Sequence, residues 1–193
     1  MGNNTAQKKF TVKGILIPTL ALFLICVVVT AALAGTNALT ADKIAALEAQ
    51  NQAEAMARVL PADEYVQKTG SLDGTETSYY IARQGGQAIG AVYITAAKGY
   101  GGDVSVMTAI KADGAIAAVE ILAADDETPG LGQNAMKPDF AAQFAGKSGQ
   151  VDVVKNGAAE NQVNALTGAT ITSRAVADAV NQALALFEKE GIS

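Results

Sequence analysis

Nineteen residues, Ile15 to Leu33, are almost unbroken in apolar character, and no charge occurs from Gly14 to Ala41. As a helix rising about 1.5 Å per residue, that run reaches roughly 28 Å, close to the hydrocarbon thickness of a bilayer. Pro18 falls in its first turn, where a missing N–H costs little. Ala32-Leu33-Ala34 has the small-x-small form of a leader cleavage site. The run is long for a cleaved leader, however, so a retained membrane anchor is expected. Lys8, Lys9 and Lys13 are the only charges before it, and three cations with no acids predict a cytoplasmic N-terminus. The expected division is a cytoplasmic N-terminus over 1–13, a transmembrane helix over 14–36, a helical stalk over 37–61 and an extracytoplasmic domain over 62–193.

Charge and composition narrow what the outer part can do. Without the three leading lysines, 11 of the 14 basic residues remain against 19 acidic ones, a formal charge of −8. That excess argues against nucleic acid and against docking on an anionic lipid surface. The chain has no histidine, and its one cysteine, Cys26, lies inside the apolar run as a small apolar residue. These absences exclude disulfides, Cys-His nucleophiles, imidazole proton shuttles, zinc sites of His or Cys type and His-ligated haem. An electron carrier on this domain has to be organic.

Beyond the run, Thr40 is placed to cap a helix from Asp42 to Leu60, ended by Pro61, with Leu47, Met56, Val59 and Leu60 on its apolar side. A strand-rich stretch follows. Thr77 to Arg83 and Gln87 to Thr95 flank Gly85-Gly86, and Val104 to Lys111 and Ala115 to Leu122 flank Asp113-Gly114, two hairpin signals. Val151 to Val154 is a further short strand, expected to add to the same sheet. Phe140 and Phe144, four apart, suggest a helix face packing into the core. From Val176, apolar residues recur at Val180, Ala183, Leu184 and Phe187, one face of a C-terminal helix that needs a sheet to cover it. The class is α+β: one N-terminal transmembrane helix, then an antiparallel sheet of two hairpins packed with helices.

Three segments could carry chemistry. Thr167-Gly168-Ala169-Thr170-Ile171-Thr172-Ser173 enters the C-terminal helix, with Thr172 or Ser173 as candidate N-cap. Such a turn is either an ordinary capped helix start or, through its free N–H groups and positive dipole end, a phosphate site. Gly99-Tyr100-Gly101-Gly102 links the hairpins, as a flexible connection or as a close approach of backbone to a planar ligand. Glu127-Thr128-Pro129-Gly130-Leu131-Gly132 leaves the second hairpin. Its Pro-Gly favours a tight turn that could present Leu131 to an aromatic ring. Lys137, just after it, is read as a surface lysine.

Leu166 to Ser173 resembles the flavinylation signature of the FMN-binding domain family, serine or threonine followed by Gly-Ala-Thr. The family includes RnfG of the Rnf electron-transport complex and NqrC of the sodium-pumping NADH:quinone reductase. The two glycine-containing blocks stand in the family's order, and with the anchor the resemblance covers nearly the whole chain. Asn164 stands where an aspartate often precedes the motif. The resemblance implies FMN joined through its phosphate to Thr170. It also implies a cofactor cradle of Thr167, Gly168, Ala169, Thr172, Ser173, Gly99, Tyr100, Gly101, Glu127, Thr128, Gly130, Leu131 and Gly132.

What the resemblance implies is a redox component of an Rnf-type ferredoxin:NAD⁺ oxidoreductase in a prokaryotic cell membrane. Its partners would be the other proteins of the Rnf complex and a separate flavin transferase, because no histidine base exists to activate Thr170. Two alternatives are the NqrC component of the quinone reductase and an anchored module that holds a phosphate ligand without redox chemistry.

Overall fold

The computed structural model describes residues 12–191 apart from Asp73; of the lysines used to orient the anchor, Lys8 and Lys9 lie outside this range. The chain divides into two compact units, 1–50 and 51–193.

In the first unit, the helix α1 (Val12–Val59) begins and runs without a break through the apolar stretch. It is long and apolar enough to cross a membrane, and none of its most apolar window is covered by protein. Thr40 does not start a new helix, as its sequence position suggests. Its hydroxyl donates instead to the Thr36 carbonyl at 3.0 Å, and Thr36 likewise donates to Ala32 at 2.9 Å. A threonine can satisfy its hydroxyl on the preceding turn and so sit inside a helix without ending it.

The second unit starts at Asn51, earlier than the expected boundary at 62. The reason is packing: Ala55, Met56, Val59 and Leu60 are buried against Ala82, Val92, Met107 and Ala109 of the sheet. The last turns of α1 therefore belong to the domain core. Arg58 adds a salt bridge to Glu120 at 2.6 Å, and Gln52 donates to the Tyr80 hydroxyl at 2.9 Å.

The sheet is a five-stranded antiparallel meander of β1 (Glu64–Leu72), β2 (Thr75–Gln84), β3 (Gln87–Lys98), β4 (Asp103–Lys111) and β5 (Ile116–Ala123). β2–β3 and β4–β5 are the two expected hairpins, and β1 is an additional edge strand paired along its length with β2. Gly85 (φ 57°) and Gly86 (φ 81°) both lie in the left-handed region, which the two-residue hairpin turn requires. Alternate residues face opposite sides. Tyr79, Ile81, Tyr93, Val104, Val106 and Ile110 point away from Met56 and Val59 into the larger core.

That larger core is closed by α3 (Thr170–Glu190), whose Val176, Ala179, Val180, Ala183 and Leu186 are buried. The Thr95 hydroxyl donates to the Ala179 carbonyl at 2.8 Å, fixing β3 against the helix. Between sheet and α3 run a 3₁₀ turn (Gly132–Met136), the short helix α2 (Pro138–Ala141) and a second 3₁₀ turn (Ala142–Phe144). Phe140 and Phe144 are both buried and meet edge to face at 5.7 Å. The Val151–Val154 segment does not join the main sheet. As β6 (Asp152–Val154) it pairs in parallel with β7 (Gln162–Asn164), and Asn181 of α3 bridges the Val151 N–H and carbonyl just before it.

Candidate functional site

Three loops converge at the N-terminus of α3. The Leu166–Ala169 turn is closed by the Ala169 N–H on the Leu166 carbonyl at 3.0 Å, and Gly168 sits inside it at φ 78°. α3 begins directly at Thr170, with Ala169 in the capping position and no side chain capping the helix. The expected cap by Thr172 or Ser173 is therefore not made, because both lie inside the first turn with their hydroxyls turned to other work. Ser173 donates to the Ala169 carbonyl and accepts the Leu166 N–H, each at 2.9 Å, so it braces the turn from behind. Thr172, buried, donates a hydrogen bond to the Glu127 carboxylate.

Two of the four motif hydroxyls are thus consumed by the protein. The other two, on half-buried Thr170 and exposed Thr167, make no hydrogen bond among the described residues. A helix start without a cap leaves its first N–H donors unmatched, and these carry the positive end of the helix dipole. Thr170 stands at that start.

The Glu127–Gly132 loop turns on Pro129-Gly130, with the Leu131 N–H on the Thr128 carbonyl at 3.1 Å and Gly130 at φ 76°. Proline followed by a glycine of positive φ gives a type II turn. Asn134 holds it by donating to the Gly130 carbonyl at 2.6 Å, and Gln133 donates to Asp125 at 2.9 Å. The turn presents Leu131, 43% exposed, alongside Gly168: a Cβ on Gly168 would stand 3.0 Å from Leu131 Cδ2. Glycine at 168 therefore serves both the backbone and the Leu131 side chain.

Glu127 itself points inward and is only 2% exposed. Burial pushes its carboxyl up. The Thr172 hydroxyl and the N–H groups of Gly101, Tyr100 and Gly102 outweigh that, so its pKa lies below the usual glutamate value. The Gly99–Gly102 loop is shaped around this carboxylate and its neighbour Asp126. Gly101 donates to Glu127 at 3.0 Å, and a Cβ on Gly99 would collide with the same oxygen. On Gly132 a Cβ would lie 2.5 Å from the other carboxylate oxygen and 2.8 Å from the Thr172 hydroxyl. These glycines make room for an internal carboxylate.

A carboxylate whose pKa is lowered by folding stabilises the fold above its unfolded value and loses that contribution as pH falls through its folded value. Thermal denaturation of the detergent-solubilised chain should therefore show a melting temperature that falls more steeply below about pH 4.3 than that of Glu127→Gln. Parallel curves down to about pH 3 would show that Glu127 gains nothing from its partners.

On the outer side, Tyr100 (72% exposed), Leu131 and Ile171 (53%) are large apolar residues left open to solvent near the motif. Ile171 is a residue that sequence reasoning did not single out. It lies five positions from Val176, about 140° round the helix from the buried face, and an apolar residue so placed is a readable signal. Lys137 is exposed between the first 3₁₀ turn and α2. Asn164 is engaged internally, its N–H on Gln143 at 2.8 Å and its side-chain oxygen accepting the Ala158 N–H at 3.2 Å.

A model of the FMN-binding domain matches residues 99–185, spanning all three loops, and one of the RnfG N-terminal region matches 9–59. The G subunit of the Na⁺-translocating ferredoxin:NAD⁺ oxidoreductase complex of Acetobacterium woodii is 37% identical over 187 residues, covering 88% of this chain and 89% of that one. The chain belongs to the RnfG family. The G subunit of the proton-translocating complex of Clostridium ljungdahlii is similar to it at 34% identity, covering 86% of this chain and 85% of that one. Among solved structures, the C subunit of the Na⁺-translocating NADH-quinone reductase from Parabacteroides distasonis matches with a TM-score of 0.51 and 26% identity. That match covers 59% of this chain and 62% of the other. NqrC from Shewanella oneidensis matches at 0.53 and 23% identity, covering 63% and 65%, and shows the shared fold alone. This RnfG-family chain thus spans somewhat less than two thirds of those two structures. Its α+β fold is shared with them over the matched part.

Proposed function

We propose that this chain is a membrane-anchored electron-transfer subunit that carries FMN through a phosphoester to Thr170. The observation that carries the reading is the division of hydroxyls in the motif: Thr172 and Ser173 are buried and bonded, while Thr170 stands unbonded at an uncapped helix start. A phosphoryl group on Thr170 would meet free N–H donors there. Leu131, Ile171 and Tyr100 supply apolar surface suited to a planar ring. The residues present therefore fit the cofactor. Thr167, Gly168 and Ala169 form the turn that delivers Thr170, Thr128 and Gly130 form the one that delivers Leu131, and Gly99 to Gly102 give the third wall.

When bound, FMN supplies one- and two-electron chemistry, and the protein supplies position and electrostatics. A covalent bond suits a domain outside the cytoplasm, where a lost cofactor could not readily be replaced. A separate flavin transferase would make the bond, since the chain has no histidine to activate Thr170. Kinship with RnfG proteins at 37% and 34% identity favours a place in a ferredoxin:NAD⁺ oxidoreductase complex over one in the quinone reductase. The other proteins of the Rnf complex would be its partners.

Co-expressed with a compatible flavin transferase, the full chain should show an intact mass greater than its sequence mass by one FMN less one water. Its denatured band should fluoresce under ultraviolet light. A chain without flavin under those conditions would leave the non-redox phosphate-binding module as the reading. On the proposed topology, the anchor holds the chain in the prokaryotic cell membrane with Lys8 to Lys13 cytoplasmic. Protease added to intact spheroplasts should then digest the domain, and full protection would reverse that orientation.

A further inference from the structure

We infer that Glu127 is a positioning residue of the FMN site, which joins its three loops and does not itself touch the cofactor. The inference rests on the proposed function for the identity of the cofactor, but its geometry is independent of it. One carboxylate oxygen accepts the Thr172 hydroxyl from the first turn of α3, and the other accepts the Gly101 N–H at 3.0 Å. The residue that bears them begins the loop that ends in Leu131 and Gly132. A single buried side chain, carried by one loop, therefore bonds to the Gly99–Gly102 loop and to the Thr170 helix start at once. With 2% exposure and both oxygens engaged, it has no face left for a ligand. Gly99 and Gly132 close against it so tightly that any Cβ would displace it.

Removing the side chain leaves buried donors unmatched on two loops, whereas glutamine keeps the shape, with its oxygen for Gly101 and its amide N–H for the Thr172 oxygen. The test compares wild type, Glu127→Ala and Glu127→Gln in the full chain. Amide hydrogen exchange is measured without flavin, and the rate of FMN attachment by intact mass with the transferase present. Glu127→Ala should lose protection over residues 99–102 and 167–173 and attach FMN at least about tenfold more slowly, the scale of a lost hydrogen bond to a charged group. Glu127→Gln should restore both to within about threefold. If Glu127→Ala fails to fold, Thr172→Val removes only the shared hydroxyl and should slow attachment in the same direction. Wild-type protection and attachment in Glu127→Ala would overturn the inference. So would Glu127→Gln as defective as Glu127→Ala, which would assign the role to the charge acting directly. Absence of flavin from the wild type would count against covalent FMN, while the exchange measurement would still decide the role of Glu127.

Discussion

Thr170→Ala should carry no covalent flavin at all, with its fold intact, while Thr167→Ala should still be labelled. The expectation follows from where each hydroxyl stands. Thr170 is the first residue of α3, and its oxygen makes no hydrogen bond within the described protein. Deleting an unbonded hydroxyl there should cost no more than ~1 kcal/mol. It removes the one atom to which a phosphoryl group at the helix start could be joined. Thr167 lies on the exposed side of the preceding turn, and its loss should slow attachment at most through poorer handling by the transferase. Intact mass and in-gel fluorescence of both variants, co-expressed with the transferase, read the outcome directly. A flavin peptide mapping to Thr167, or labelled Thr170→Ala, would move the attachment point.

Phe144→Ala should have the largest effect on stability, about 3–5 kcal/mol, the range for truncating a buried aromatic. Phe144 is fully buried, packs edge to face on Phe140 and sits in the connection between sheet and α3, where regular structure is shortest. Phe187→Ala makes the internal comparison: that ring lies on the same core but is only partly buried, so its loss should cost clearly less. Denaturant titrations of the two variants in detergent, followed by tyrosine fluorescence, would order them. Equal midpoints would mean that the Phe140–Phe144 connection is not part of the cooperative core.

Much of this architecture can be read from residue pattern because its contacts are local. Gly85-Gly86 and Asp113-Gly114 mark turns whose flanking strands pair with each other, so each hairpin is legible within about twenty residues. The strand β1 is not legible in the same way. Gln67, Lys68, Gly70 and Ser71 give it little alternation, which an edge strand tolerates because only β2 pairs with it as a strand among the described residues. The segment β6 misleads for the opposite reason: its valines are strand-like, but its partner is a three-residue strand with no signal of its own. At the site, the motif picks out Thr170, yet residue types alone do not reveal how the hydroxyls divide. Thr170 and Thr172 differ only in facing out or in, a matter of helix phase set by where α3 starts. The glycines are ambiguous for a similar reason, since a missing Cβ looks the same whether it makes space for a ligand or for Glu127.

The strand order β1-β2-β3-β4-β5 is also the order in which the strands are made. Every strand pairs with the one made just before it, so the sheet can assemble from its N-terminal edge as the chain is delivered, with little loop-closure entropy to overcome. α3 is the exception: it comes last and must return to β3, β4 and β1. Until it docks, one face of the sheet is bare and Glu127 has no Thr172 to receive. Thr170 rides on that final helix, so the proposed acceptor comes into place only when α3 docks. A chain that stops short, or that fails to close its core, has nothing properly built to label. If FMN is joined to Thr170 as proposed, labelling would favour those copies whose last helix has docked.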